Sequence, residues 1–197
     1  KYDYAILNPP YVVVKPDVRF ETSVARDLYA YFLERVIKTT SGFVSITPQA
    51  FTNGQKFNSF RRLLLNNFSD IDVYCFDNVP DNIFRGIKFG SKNTNTANST
   101  RAGIIVAKQN NTKQVFRITP LLRWRTKERQ QLLDSIDSYL TEITPREDIF
   151  PKLQKELLPL YNLAKKQEKM LAHLVSHGPT PYKLIVQSTP RYFISAL

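Results

Sequence analysis

The chain has 197 residues with 28 Lys plus Arg against 17 Asp plus Glu, a formal charge of +11, and is long enough for one well-buried domain, with or without an appendage. No stretch approaches the ~20 unbroken apolar residues of a membrane span, no signal-peptide pattern opens the sequence, and the single Cys75 excludes an internal disulfide, which together predict a cytoplasmic protein. The basic excess favours a polyanionic partner, nucleic acid first. His173 and His177 with one cysteine make no metal site, and their spacing before Gly178 reads as a helix end.

Residues 2–7 form an apolar run that reads as a buried strand, cut off at Asn8-Pro9-Pro10-Tyr11 because Pro9 and Pro10 carry no N–H. Asn8 is thereby presented at the carboxyl end of a strand, the edge at which open α/β sheets bind ligands. Residues 12–21 have no clear period and read as a loop over that site, with Arg19 and Phe20 in it. Thr22 or Ser23 is the expected cap of a helix that carries Val24, Leu28, Val36 and their neighbours to Thr40, with Arg26, Asp27, Glu34 and Arg35 on its solvated face. Residues 43–48 form a second strand stopped by Pro48, so strand, helix and strand make a right-handed parallel unit. A second helix spans 57–67 and a third strand 71–76. Residues 77–101 are a long connection whose middle, 91–100, holds almost only Ser, Asn, Thr, Ala and Lys, and residues 102–107 are a fourth strand. Beyond Lys108, residues 119–125 form a basic, Trp-containing connection, Leu132 to Ile143 mark an amphipathic helix, and Leu153, Leu157, Leu160, Ala164, Gln167, Leu171 and Leu174 mark a further helix, kinked or broken at Pro159. That seam reads either as a helical hairpin on the domain or as a zipper, which leaves the oligomeric state open. Residues 182–186 and 191–194 read as strands.

The tetrapeptide Asn8-Pro9-Pro10-Tyr11 behind its strand resembles motif IV of the amino-group DNA methyltransferases. Asp27-Leu28-Tyr29, Gly42 to Pro48 with Phe51, Phe60-Arg61 to Leu64-Leu65, and Ile83-Phe84 before the last strand are similar in spacing to the gamma-type adenine-N6 enzymes of restriction-modification systems. The resemblance covers residues 1–108. It implies an α/β fold, the C-terminal half of a Rossmann-like methyltransferase sheet from motif IV to motif VIII, with parallel strands and one inserted antiparallel strand, followed by a helical extension. The implied division is a partial catalytic domain over 1–118, a helical extension or linker over 119–178, and the start of a target-recognition domain over 179–197. The glycine-rich strand and turn that hold S-adenosylmethionine in such enzymes are expected upstream, so the chain is expected to be part of a longer protein.

The resemblance further implies that Asn8 and the Pro9 carbonyl accept the two N–H bonds of an adenine amine, with Pro10 and Tyr11 completing the catalytic motif. Tyr11 and Phe84 are the implied stacking faces for an adenine flipped out of double-stranded DNA. Arg19, Lys56, Lys92, Arg101, Arg123 and Arg125 are the candidate phosphate contacts. Two other activities fit the same tetrapeptide: methyl transfer to a protein glutamine or to ribosomal RNA, and a catalytically silent DNA-binding module.

Overall fold

A strand can extend a hydrogen-bond ladder only while it has N–H groups to donate. In the computed structural model, β1 is Tyr2–Leu7 and gives way to irregular backbone at Asn8, ahead of the two prolines. The structure describes residues 2–83, 100–109 and 113–166. After β1 come α1 (Leu28–Thr39), β2 (Thr40–Pro48), α2 (Asn58–Asn67), β3 (Asp70–Phe76), β4 (Ala102–Lys108) and β5 (Val115–Leu122). The short α3 (Arg129–Asp134), the two-residue β6 (Thr141–Glu142) and α4 (Leu158–Lys165) follow.

The strands form one mixed sheet in the order β1-β2-β4-β3-β5-β6. β1 and β2 are parallel, as the intervening helix requires, and so are β3 and β5. β4 is antiparallel to both its neighbours and lies between β2 and β3, pairing Ile46 with Ile104 and Val73 with Ile105. The expected α/β sheet with one inserted antiparallel strand is therefore the one that forms.

Alternation along the strands separates two faces. Phe43, Ile71, Val73, Ile105, Phe116 and Ile118 are buried against α1 and α2, which contribute Tyr29, Leu33, Ile37, Phe60 and Leu64. On the opposite face, Tyr74, Phe76, Leu122 and Trp124 pack with Leu132 of α3. That second cover does not reach β1, where Tyr2, Tyr4 and Ile6 are exposed, Ile6 by 89%.

Several elements differ from the sequence expectation. The helix expected from Thr22 or Ser23 begins only at Leu28: Ser23–Ala25 is a 3-10 turn and Arg26 adopts a left-handed φ of 53° that breaks it from α1. Glu34, expected on a solvated face, is 2% exposed and accepts from the main-chain N–H of Glu21 and Thr22 and from the Thr22 hydroxyl. The second strand, expected over 43–48, starts already at Thr40 and so includes Gly42, where a Cβ would stand 2.8 Å from the Tyr4 ring and 3.0 Å from the Ala107 carbonyl.

The connection expected around residues 119–125 is in its first part strand β5, which tolerates Pro120 because two of its residues bulge opposite one of β3 between Val73 and Cys75. The expected helix over Leu132 to Ile143 is instead α3, a 3-10 turn Ile136–Tyr139 and β6. The apolar spacing does meet one cluster, but Ser135 and Ser138 bond back to the Gln131 and Ser135 carbonyls and turn the chain. Leu153 is buried in irregular backbone, so it belongs to no helical seam, and Pro159 occupies the first turn of α4 where a missing N–H is harmless. The expected continuation of that helix and the strands at 182–186 and 191–194 lie outside the described residues.

Candidate active site

Five chain segments reach one edge of the sheet. β1, β2, β3 and β5 end there, at Asn8, Gln49, Asp77 and Arg123, and antiparallel β4 starts there after Arg101. Because Leu7 pairs with Ser45, Asn8 stands level with Ile46, and β2 runs on past it to Pro48.

The geometry at Asn8 follows from the two prolines. Neither Pro9 nor Pro10 can donate to the neighbouring strand, and the Tyr11 hydroxyl donates instead to the Ile46 carbonyl at 2.9 Å. The same hydroxyl is hydrogen-bonded to the Asn8 side-chain amide. Asn8 is exposed and Pro9 buried, and the Tyr11 ring, 39% exposed, meets Tyr29 edge-on with centroids 6.4 Å apart. Tyr29 in turn stacks on Phe57 at 5.5 Å, so the motif aromatic rests on a column rooted in the core. Burial pushes the Tyr11 phenol up to about 12, which keeps it a protonated donor at neutral pH.

The loop after the motif is tied down along its length. Val14 N–H donates to the Arg26 carbonyl and Leu28 N–H to the Val12 carbonyl, both at 2.9 Å, so the two arms of the loop pair. Phe20 stacks on Tyr31 at 4.6 Å, and Glu34 holds residues 21 and 22 from below.

Four of the candidate cations have carboxylate partners. Arg19 pairs with Asp17 at 2.7 Å and, chiefly through that hydrogen bond, holds the Asp17 carboxyl down to about 2. Lys56 pairs with Asp27 at 2.5 Å. Arg101 and Arg123 both bond to Asp77, at 2.8 and 2.5 Å, and the Asn78 N–H donates to the same carboxylate at 2.9 Å. Burial works against the Asp77 charge, but these three donors outweigh it and hold its carboxyl below the usual range. Arg125 is exposed beside the 3-10 turn Thr126–Glu128, its N–H bonded to Glu128. Phe84 and Lys92 lie outside the described residues. With strands about 4.8 Å apart, four steps separate Asn8 from Arg123, or roughly 19 Å, and two steps separate it from Arg101, or roughly 10 Å.

Asp77 was not among the candidate residues, although an acid directly after a buried strand is a legible signal. Among the described residues no group of three or more His, Cys, Asp and Glu is placed to hold a metal ion, and no helix is long and apolar enough to cross a membrane.

A strand-end Asn-Pro-Pro-Tyr beside a parallel strand with an antiparallel insertion is the arrangement that the methyltransferase resemblance implies. Residues 1–84 match the Eco57I restriction-modification methylase family. Over 86 residues the chain is 35% identical to the Type II methyltransferase M.PstI of Providencia stuartii, a match that covers 39% of this chain and 17% of that protein. Similar solved structures include a DrdV–DNA complex (TM-score 0.54, 16% identity, 78% of this chain and 19% of that one). Another is the ATP-dependent Type ISP restriction-modification enzyme LlaBIII bound to DNA (0.51, 17% identity, 74% of this chain and 12% of that one). A third is a nuclease-deletion mutant of the Type ISP enzyme LlaGI with a DNA substrate mimic (0.53, 13% identity, 80% of this chain and 19% of that one). At such identities the structures speak for the fold alone. The chain spans less than a fifth of each of these relatives.

Proposed function

We propose that this chain is the substrate-side half of a DNA methyltransferase of a restriction-modification system, acting on the N6 amine of adenine with S-adenosylmethionine as methyl donor. The observation that carries the reading is the exposed Asn8 amide, fixed at the carboxyl end of β1 by a half-buried tyrosine. The amine of adenine is a weak nucleophile because its lone pair is delocalised into the ring. The Asn8 side-chain oxygen and the Pro9 carbonyl accept its two N–H bonds, which favours a pyramidal nitrogen with a localised lone pair. A neutral amide suffices for this, since the donor's methyl sulfonium supplies a strong electrophile. The described residues provide acceptors for the amine, and holding the methyl donor falls to glycine-rich backbone outside them.

An adenine in duplex DNA must leave the stack to reach this edge, at a cost of a few kcal/mol. The exposed part of the Tyr11 ring offers it a stacking face worth about 1–3 kcal/mol, and Phe84 is proposed as the opposing one. Phosphate contacts fall to the basic side of the edge, with Arg125, Arg101 and Arg123 the best placed, and to Arg19, Lys56 and Lys92. The Asp77 pairing argues for a fixed guanidinium pair with one net positive charge over two free ones.

The test is methyl transfer by the full-length protein to duplex DNA, release factor and ribosomal RNA, each with labelled donor, in the wild type and in Asn8→Ala. Transfer to adenine in duplex DNA that Asn8→Ala abolishes is expected. Unchanged turnover in Asn8→Ala, or label on the release factor or RNA only, would overturn the reading.

A further inference from the structure

The Tyr11 hydroxyl has one proton, and among the described residues it lies within reach of both the Ile46 carbonyl, at 2.9 Å, and the Asn8 side-chain amide. The Ile46 carbonyl is main chain and can only accept. It stands level with the end of β1, where Pro9 and Pro10 offer no N–H, so the phenol is the donor that the strand lacks. The Asn8 amide, by contrast, turns over by half a rotation at no cost in shape, and which of its two ends carries the oxygen follows from its partners. If Tyr11 gives its proton to Ile46, its oxygen is an acceptor toward Asn8, and the atom facing it must be the Nδ2 donor.

Resting on the function proposed above, we infer that Tyr11 is a positioning residue that sets the Asn8 amide by hydrogen bonding: Asn8 Nδ2 donates to the Tyr11 oxygen, Tyr11 donates to the Ile46 carbonyl, and Asn8 Oδ1 is left facing the substrate amine. The relay makes the outward end of the amide an acceptor, the only polarity that engages the N–H bonds of an amine. It assigns the hydroxyl of Tyr11 a role separate from that of its ring. The prolines acquire a second consequence, since without an N–H at the end of β1 to take it, the Ile46 carbonyl is left for the phenol. The core column of Tyr29 and Phe57 keeps the phenol in register. With the phenol pKa near 12, the relay is intact throughout the neutral range.

Tyr11→Phe keeps the ring and deletes the relay. In the full-length protein the expected result is a kcat lower by about a hundredfold, as for a reacting group displaced by a fraction of its contact distance, with KM for duplex DNA unchanged. In the 197-residue chain labelled with 15N, the Asn8 Nδ2 protons are expected to shift and exchange faster with solvent in Tyr11→Phe. An unchanged kcat in Tyr11→Phe while Asn8→Ala is inactive overturns the relay and leaves the proposed function standing. Asn8 amide protons that do not respond to Tyr11→Phe also overturn it. Full turnover in Asn8→Ala overturns the function and the relay together.

Discussion

Arg61 on α2 donates at 2.7 Å to the main-chain carbonyl of Asp148, 87 residues further along the chain. Its guanidinium also donates to the carbonyls of Glu147, Phe51 and Gly54 and to the Asn58 side chain, and the residue is completely buried. The planar fork thus fastens the segment that carries Phe150 and Leu153 to the turn after β2.

Arg61→Met fits the space and removes every donor, leaving buried carbonyls unpaired. The expected loss is about 3–5 kcal/mol in urea unfolding, within the range of a broken buried network. Arg61→Lys should recover little of it, because a single ammonium cannot span carbonyls on two segments. Equal stability of Arg61→Met and wild type would show that the two segments are held by their apolar contacts alone.

Asp77 predicts an acid dependence. Its carboxyl is held below the unfolded value, so its contribution is complete above pH ~4 and fades as the pH falls through the folded pKa. Asp77→Asn should therefore cost about 1–2 kcal/mol at pH 7, mostly through Arg101, since Arg123 is 59% exposed and screened by solvent. The difference from wild type should shrink toward pH 3. A difference that stays constant over that range would place the stabilisation elsewhere.

Gly103 faces Phe51, which is fully buried: a Cβ at that position would stand 2.9 Å from one ring carbon and 3.3 Å from the next. Gly103→Ala should destabilise by about 1–3 kcal/mol, the usual range for overpacking. Coupling to Phe51→Leu in a double-mutant cycle checks the cause, since the smaller side chain should relieve most of the loss.

Ile6 projects from an edge strand on the uncovered face of the sheet, next to exposed Tyr4 and Val44. The 197-residue chain by itself should self-associate through this apolar strip, and Ile6→Lys should reduce that without changing the unfolding free energy by more than about 0.5 kcal/mol. Sedimentation velocity over a range of concentrations measures the first effect and urea unfolding the second. Identical sedimentation of both proteins would contradict the assignment of that face as sticky.

The sequence shows its strands most plainly where proline ends them, as at Leu7 and Pro48, because the loss of an N–H is a local fact. β5 is hidden for the opposite reason. Its Arg117 pairs with Asp70 and Asp72 of β3 at 2.7 and 2.5 Å, and its Thr119 hydroxyl accepts the Cys75 N–H at 2.9 Å, so the polar residues that disguise the strand are matched only across the sheet. The motif Asn8 to Tyr11 was legible as a unit, but the partner that orients it is the carbonyl of Ile46, which has no sequence signature. Glu34 was misread on the same account: nothing local distinguishes a solvated helix carboxylate from one that collects main-chain donors of a loop.

The antiparallel strand between β2 and β3 has a temporal consequence. β2 and β3 are completed by residue 76, yet the side of each that β4 fills has no partner until that strand, ending at Lys108, leaves the ribosome. At a synthesis rate of about 5–20 residues per second, that interval lasts about 2–6 s. For those seconds the nascent chain shows one open side of β2 and both sides of β3 to every other chain in the polysome, and a chaperone that shields them is most useful then.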